Sequence, residues 1–135
     1  MSFVGSSSLA EELMLLGPRY ANGVIVTQVV PPVDGYASVV LDYKNALATY
    51  SAPGEVPGYV SFEGYLAAKV LVEALRRAVP QLDTETVVDA LETLRNYDIG
   101  LGVPVNFSRT EHQALHKVWG TQLDANGKFQ PIELQ

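Results

Sequence analysis

From Tyr59 to Ala78 the chain runs without a proline, and its only charges there are Glu63, Lys69, Glu73, Arg76 and Arg77. The rest is almost wholly Leu, Val, Ala, Tyr, Phe and Gly. A stretch of this kind forms a long helix with a wide apolar arc, and such a helix must be covered on more than one side. Ser61 is read as its N-cap, with a hydroxyl placed to accept from an N–H of the first turn. Glu63 then falls where the helix dipole favours a negative charge. Glu73 precedes Arg77 by four residues, the favourable order for an ion pair. Val79-Pro80 ends the helix, because a residue before proline avoids the helical region. Around its entrance stand Tyr59, Ser61 and Glu63, at a helix terminus whose N–H groups face outward.

The other segments supply layers for this helix. Ser8 and Glu11 form a capping box for a helix from about Leu9 to Leu16, with Gly17 at its C′ position and Pro18 blocking continuation. Gly5-Ser6-Ser7-Ser8 is read either as simple capping or as a ligand-facing rim rich in N–H and hydroxyl groups. Gly23 to Val30 is short, β-branched and nearly all apolar, as expected of a strand buried on both faces of a parallel sheet, with Pro31-Pro32 stopping it. Val39, Val40, Tyr43, Ala46, Leu47 and Tyr50 recur at helical spacing and predict an amphipathic helix over 37–50. Two prolines and two glycines make 51–58 a loop. Asp83-Thr84-Glu85 opens a further helix that runs to about Leu94. Val103 to Phe107 is expected to be an edge strand, because it contains Pro104. Two strand-like runs, Lys117–Leu123 and Lys128–Ile132, flank Asn126-Gly127, a pair that tolerates φ > 0 and predicts a hairpin. The whole is α/β in class, helices packed on parallel strands with a C-terminal hairpin.

Several functions are excluded or unsupported. The net charge of −6 opposes nucleic-acid binding, which calls for basic stripes. No apolar run approaches the roughly 20 residues that span a bilayer. Without cysteine there is neither a disulfide nor a thiolate metal site. His112 and His116 are four apart, but two histidines are too few for a metal site, and Thr110 to Gln113 reads as a polar loop. No G-x-S-x-G turn and no P-loop is present. Asn106-Phe107-Ser108 matches a glycosylation triplet that is short enough to arise by chance. No cofactor is implied. Met1 to Gly5 lacks the n- and h-regions of a signal peptide and resembles the tail of a strand, so the chain is expected to begin inside a fold. Only 18% of residues are charged, against about a quarter in an average soluble domain, which implies surface meant to be covered.

An ordered series of segments carries a family resemblance. It comprises Phe3-Val4-Gly5-Ser6-Ser7, Gly23 through Pro31, Tyr59 through Leu71, Val88 through Glu92, and the closing hairpin. Together they resemble the C-terminal portion of the type I periplasmic solute-binding proteins of ABC transporters, the leucine/isoleucine/valine-binding group. The resemblance covers essentially the whole chain. It implies a fragment of a bilobed, hinge-closing receptor with the ligand in the cleft between two α/β lobes. By similarity, residues 1–30 belong to the second lobe, 31–115 mainly to first-lobe helices, and 116–135 to the hairpin. Ser6, Ser7 and Ser8 then face the cleft where amino-acid binders place an acid, and hydroxyls in its stead leave a carboxylate, an amide or another polar solute open. Tyr59 matches a cleft-lining aromatic, and Ser61 follows it. The resemblance implies a non-enzymatic binding component of an importer, periplasmic or extracytoplasmic, working with an ABC permease on a branched-chain amino acid or related amide or carboxylate. The alternatives are a sensory receptor of the same fold and, more remotely, a small stand-alone enzyme. A fragment with uncovered sheet edges and helix faces is also expected to self-associate or to pair with a companion chain.

Overall fold

The computed structural model describes residues 4–5, 12–13 and 15–134. The chain divides into two compact units. Unit 1 comprises Met1–Val33, Gly58–Val60 and Lys117–Gln135, and unit 2 comprises Asp34–Pro57 and Ser61–His116.

Unit 1 is built on a four-stranded sheet: β1 (Val4–Gly5), β2 (Ile25–Gln28), β3 (Trp119–Leu123) and β4 (Phe129–Ile132), in that spatial order. β1 and β2 are parallel, while β2–β3 and β3–β4 are antiparallel. The parallel pairing expected of β2 is present on its β1 side, while its other side runs antiparallel to β3. The length of β2 is corrected: Val29 and Val30 leave the ladder ahead of Pro31-Pro32, which have no N–H to donate. Burial alternates along β2, with Val26 and Gln28 buried and Ile25 and Thr27 only partly so, so one face of the strand packs more tightly than the other. The buried face joins Ala21, Val24, Val26 and Leu123, with Leu13 and Phe129 packed against them. Ahead of β2, Pro18 opens the short helix α1 (Pro18–Ala21). Pro18 does stop the preceding turn, but its fixed φ also suits the first position of a new helix. Of the helix expected over 9–16, Glu12, Leu13 and Leu15 are helical, while the Ser8–Glu11 capping box lies outside the described residues.

The hairpin forms as expected, but its turn is of another kind. Gly127 alone has positive φ (73°), and Asn126 does not. Asp124 organises the turn instead: its Oδ1 accepts from Asn126 N at 2.8 Å and Lys128 N at 2.9 Å, and its Oδ2 from Gln130 Nε2 at 3.0 Å. An aspartate that captures backbone N–H groups two and four residues on makes a longer loop favourable.

Unit 2 carries three helices. The first is α2 (Ser38–Tyr50), and the second, α3 (Tyr59–Ala78), begins at its unit 1 boundary and continues through unit 2. The third is α4 (Thr84–Glu92), capped by Asp83, whose carboxylate accepts from Thr86 N at 2.8 Å. Val39, Val40, Tyr43, Phe62, Leu66, Leu94 and Val105 are buried among the core residues. Ala74, Ala78 and Ala90 form a second cluster, with Val87 and Leu91 against it. The small side chains in that cluster let the helices approach closely. Glu73 and Arg77 pair at 2.8 Å, as their spacing predicts. Lys69 meets Asp42 at 3.1 Å, and such exposed pairs contribute less than about 1 kcal/mol each.

Two expectations for α3 are corrected. The helix starts at Tyr59, so Ser61 lies inside its first turn and is not the N-cap, and Glu63 falls beyond that turn. The Ser61 hydroxyl has a nearer partner in Tyr43, described below. The edge strand expected over 103–107 is reduced to a single bridge, Tyr97–Val105, with N–O distances of 3.0 and 2.9 Å. Pro104 breaks any longer ladder.

Candidate functional site

Tyr59 is 8% exposed, and its ring meets Phe129 edge-on, with centroids 5.4 Å apart and planes at 83°. Both residues belong to unit 1. Edge-to-face geometry sets the positive rim of one ring against the negative face of the other. A ring held this way is fixed in orientation. Ser6, Ser7 and Ser8, the other residues expected to line a cleft in this part of the chain, lie outside the described residues. The strand that leads to them, β1, is set in register on β2, with Val4 opposite Ile25 and Gly5 opposite Val26.

Beside β1, the end of β2 holds a feature that the residue pattern did not single out. Gln28 is fully buried, its Nε2 donates to Thr121 Oγ1 at 3.2 Å, and Thr121 Oγ1 in turn donates to Val26 O at 3.0 Å. The Gln28 Oε1 atom is buried without a hydrogen-bond partner. An unmet buried acceptor costs about 1–3 kcal/mol. The available signal was a glutamine placed two residues after Val26, on the same face of a β-branched strand.

In unit 2, Ser61 Oγ lies 2.6 Å from the Tyr43 hydroxyl. Tyr43 is 3% exposed and stacks at a tilt on Phe62 (5.0 Å) and Tyr65 (5.6 Å). Tyr43, Tyr65 and Ser61, with Ala46, Leu47, Tyr50 and Ser51, line an open groove of about 310 Å³ between α2 and α3. The groove is apolar apart from its hydroxyls. In the sequence pattern Tyr43 and Tyr50 belong simply to the apolar face of α2. The structure brings Ser61 into this aromatic setting, and Tyr59 into a separate one in unit 1.

The two histidines serve as surface anchors. His112 Nε2 lies 3.1 Å from Glu92 Oε1, and Arg109 Nε lies 3.4 Å from Glu92 Oε2. His116 lies 3.7 Å from Glu111. Among the described residues no three His, Asp or Glu side chains converge as a metal site would require, and no helix is long and apolar enough to cross a membrane.

Comparison with known proteins places this geometry in context. Residues 1–128 match the model of a family described as periplasmic binding protein. The chain belongs to that family, and its fold is that of the type I periplasmic binding proteins. A possible leucine/isoleucine/valine-binding protein from Rhodopirellula baltica SH 1 superimposes with a TM-score of 0.90 at 33% identity, covering 98% of this chain and 36% of that one. A substrate-binding periplasmic protein from Ralstonia solanacearum gives a TM-score of 0.83 at 30% identity, covering 96% of this chain and 37% of that one. A branched chain amino acid ABC transporter structure from Thermus thermophilus with bound valine shares the fold, with a TM-score of 0.83 at 22% identity and coverage of 98% and 38%. The chain thus spans little more than a third of each of these structures. No curated protein matches it.

Proposed function

We propose that this chain is part of a non-catalytic solute receptor that serves an ABC importer outside the cytoplasm. Its solute is a small polar molecule, a branched-chain amino acid or a related amide or carboxylate. The observation that carries this reading is the agreement of 98% of the chain with a possible leucine/isoleucine/valine-binding protein, at a TM-score of 0.90 and 33% identity.

In this reading residues 1–30 and the hairpin belong to one lobe and the helices within 31–115 to the other. The division into two units supports it, because the chain passes from unit to unit at Val33–Asp34, Pro57–Gly58, Val60–Ser61 and His116–Lys117. Val60–Ser61 lies within the first turn of α3, so hinge rotation falls to the non-helical crossings at Val33–Asp34, Pro57–Gly58 and His116–Lys117. Val30-Pro31-Pro32 leads into the first passage and limits the directions in which the chain can bend. Solute that contacts both lobes favours the closed population by its differential affinity for that state.

Ser6, Ser7 and Ser8 supply hydroxyls to the polar end of the solute, and Tyr59 supplies an aromatic wall fixed by Phe129. Ser61 serves less directly, through its bond to Tyr43. Hydroxyls in place of a carboxylate weaken the hold on an ammonium group and favour a neutral amide or a carboxylate partner.

The test uses a chimera in which this chain replaces the aligned part of the Rhodopirellula baltica protein. Calorimetric titration with L-leucine, L-valine, L-leucinamide and 4-methylpentanoate is expected to show saturable binding of at least one of them. Tyr59→Ala should then weaken binding by about tenfold or more, which corresponds to 1.4 kcal/mol. A folded chimera that binds none of the four, or whose affinity ignores Tyr59→Ala, contradicts the reading.

A further inference from the structure

The triplet Ala-Asn-Gly occurs twice in the chain, as Ala21-Asn22-Gly23 and as Ala125-Asn126-Gly127. Both copies belong to unit 1, and both asparagines are exposed. An asparagine followed by glycine carries chemistry of its own. Glycine has no side chain to shield its backbone nitrogen, and in an open chain that nitrogen can reach the asparagine side-chain carbonyl carbon.

The fold holds the two glycine nitrogens on consecutive carbonyls at the end of β3. Gly23 N donates to Leu123 O at 2.8 Å, and Gly127 N donates to Asp124 O at 3.0 Å. Beyond that likeness the two settings differ. Gly23 is tied to the sheet from both sides of the residue, since Gln122 Nε2 also donates to its carbonyl oxygen at 3.1 Å and Leu123 N bonds the next carbonyl, Val24 O, at 3.0 Å. Freeing Gly23 N therefore means parting β3 from the segment that leads into β2. Gly127 is held by its own turn alone. One residue, Asp124, binds three successive N–H groups there: Asn126 N and Lys128 N on Oδ1, at 2.8 and 2.9 Å, and Gly127 N on its main-chain oxygen. Gln130 Nε2 steadies the other carboxylate oxygen at 3.0 Å. Releasing Gly127 N needs only a local opening, and such openings cost far less than parting a sheet.

We propose that Asn126 is a self-modification site, a deamidation site whose rate is set by Asp124 acting as a latch on the turn. When the turn opens, Gly127 N loses its proton to a base in solution and bonds to Asn126 Cγ. The Cγ–N bond of the side-chain amide breaks, and ammonia leaves after taking up a proton from solvent. Water then opens the five-membered succinimide at either carbonyl, which leaves aspartate or isoaspartate at position 126. No oxidant or reductant is needed. The product places a further negative charge beside Asp124. Isoaspartate also lengthens the main chain between the N–H groups of residues 126 and 128, so that Oδ1 no longer meets both at once. Asn22, with the same triplet, is the protected counterpart. Neither site depends on solute binding.

The test incubates the 135-residue chain in mildly alkaline buffer, with and without urea, and follows both asparagines by peptide mass spectrometry, which reads the exchange of amide for acid. In urea the two should convert at similar rates, because their immediate neighbours are identical. In native buffer Asn126 should convert more slowly than in urea but at least about tenfold faster than Asn22, the ratio reporting local against wider opening. Asp124→Ala should bring Asn126 close to its rate in urea and leave Asn22 protected. Asn22 is thus the internal control for folding: if both sites accelerate together in Asp124→Ala, the variant has lost the fold of the unit and the latch is overturned. An Asn126 that reacts in native buffer as slowly as Asn22, or as fast as in urea, overturns the proposal. So does an Asn126 rate that ignores Asp124→Ala.

Discussion

Tyr43 joins two kinds of stabilisation at one residue. Its ring packs on Phe62 and Tyr65, and its hydroxyl reaches Ser61 at 2.6 Å. Tyr43→Phe keeps the ring and should cost about 1 kcal/mol in urea unfolding, whereas Tyr43→Ala should cost about 3–5 kcal/mol. Because the two hydroxyls share one bond, Tyr43→Phe and Ser61→Ala should not add, and the double variant should lose less than the sum of the singles. Gln28 leads to the opposite expectation. Its Oε1 is buried and unmet, so Gln28→Met, which keeps the volume, should be neutral or stabilising by up to about 1–2 kcal/mol despite losing the bond to Thr121. A clear destabilisation would mean that the amide is satisfied by a group bound in solution. Gly100 is a third case. It has φ of +89°, its carbonyl accepts from Val39 N at 3.4 Å, and a Cβ there would come within 2.9 Å of that same backbone nitrogen. Gly100→Ala should destabilise by more than about 1 kcal/mol, since left-handed backbone and a backbone clash act together.

At the scale of elements, two carboxylates fix the ends of structures and set the acid limb of stability. Hydrogen bonds from Thr86, foremost its backbone N–H, hold the Asp83 carboxyl below the usual carboxylate range. The backbone N–H of Lys128, then the side chain of Gln130, does the same for Asp124. A folded-state pKa below the unfolded one means that the contribution is present above about pH 3.8 and is lost as pH falls below it, through the folded value. Asp83→Asn and Asp124→Asn should therefore lower the melting temperature at pH 7 and flatten its decline between about pH 4 and pH 2. Thermal unfolding followed by circular dichroism across that range checks the sign. Elements whose cause is local were legible in the sequence. Hydrophobic periodicity gave α2 nearly to the residue, Asp83 announced α4, and Pro80 set the end of α3. What depended on tertiary contact was not legible. Ser61 looks like a cap on sequence, but Tyr43 takes its hydroxyl, and β2 looks longer because Val24, Val29 and Val30 flank its paired core. The turn after β3 was assigned to Asn126-Gly127, although the carboxylate of Asp124 does the organising. For the candidate site, Tyr59 and Ser61 are marked by their place at the entrance of α3 and by the resemblance, and neither the Phe129 contact nor the groove beside Tyr43 has a short-range signature.

For the whole molecule, the two units and the proposed receptor action belong together. Each unit has its own buried cluster, and the chain crosses between them at four short passages. Compact bodies joined in this way resemble domains that move by default unless a large apolar interface locks them. The proposed function therefore rests on solute shifting a population between open and closed forms. Small-angle X-ray scattering on the chimera, with and without a saturating solute identified by calorimetry, measures that shift directly. The account predicts a smaller radius of gyration with solute than without, and loss of that contraction in Tyr59→Ala. A radius of gyration unchanged at full occupancy would contradict it.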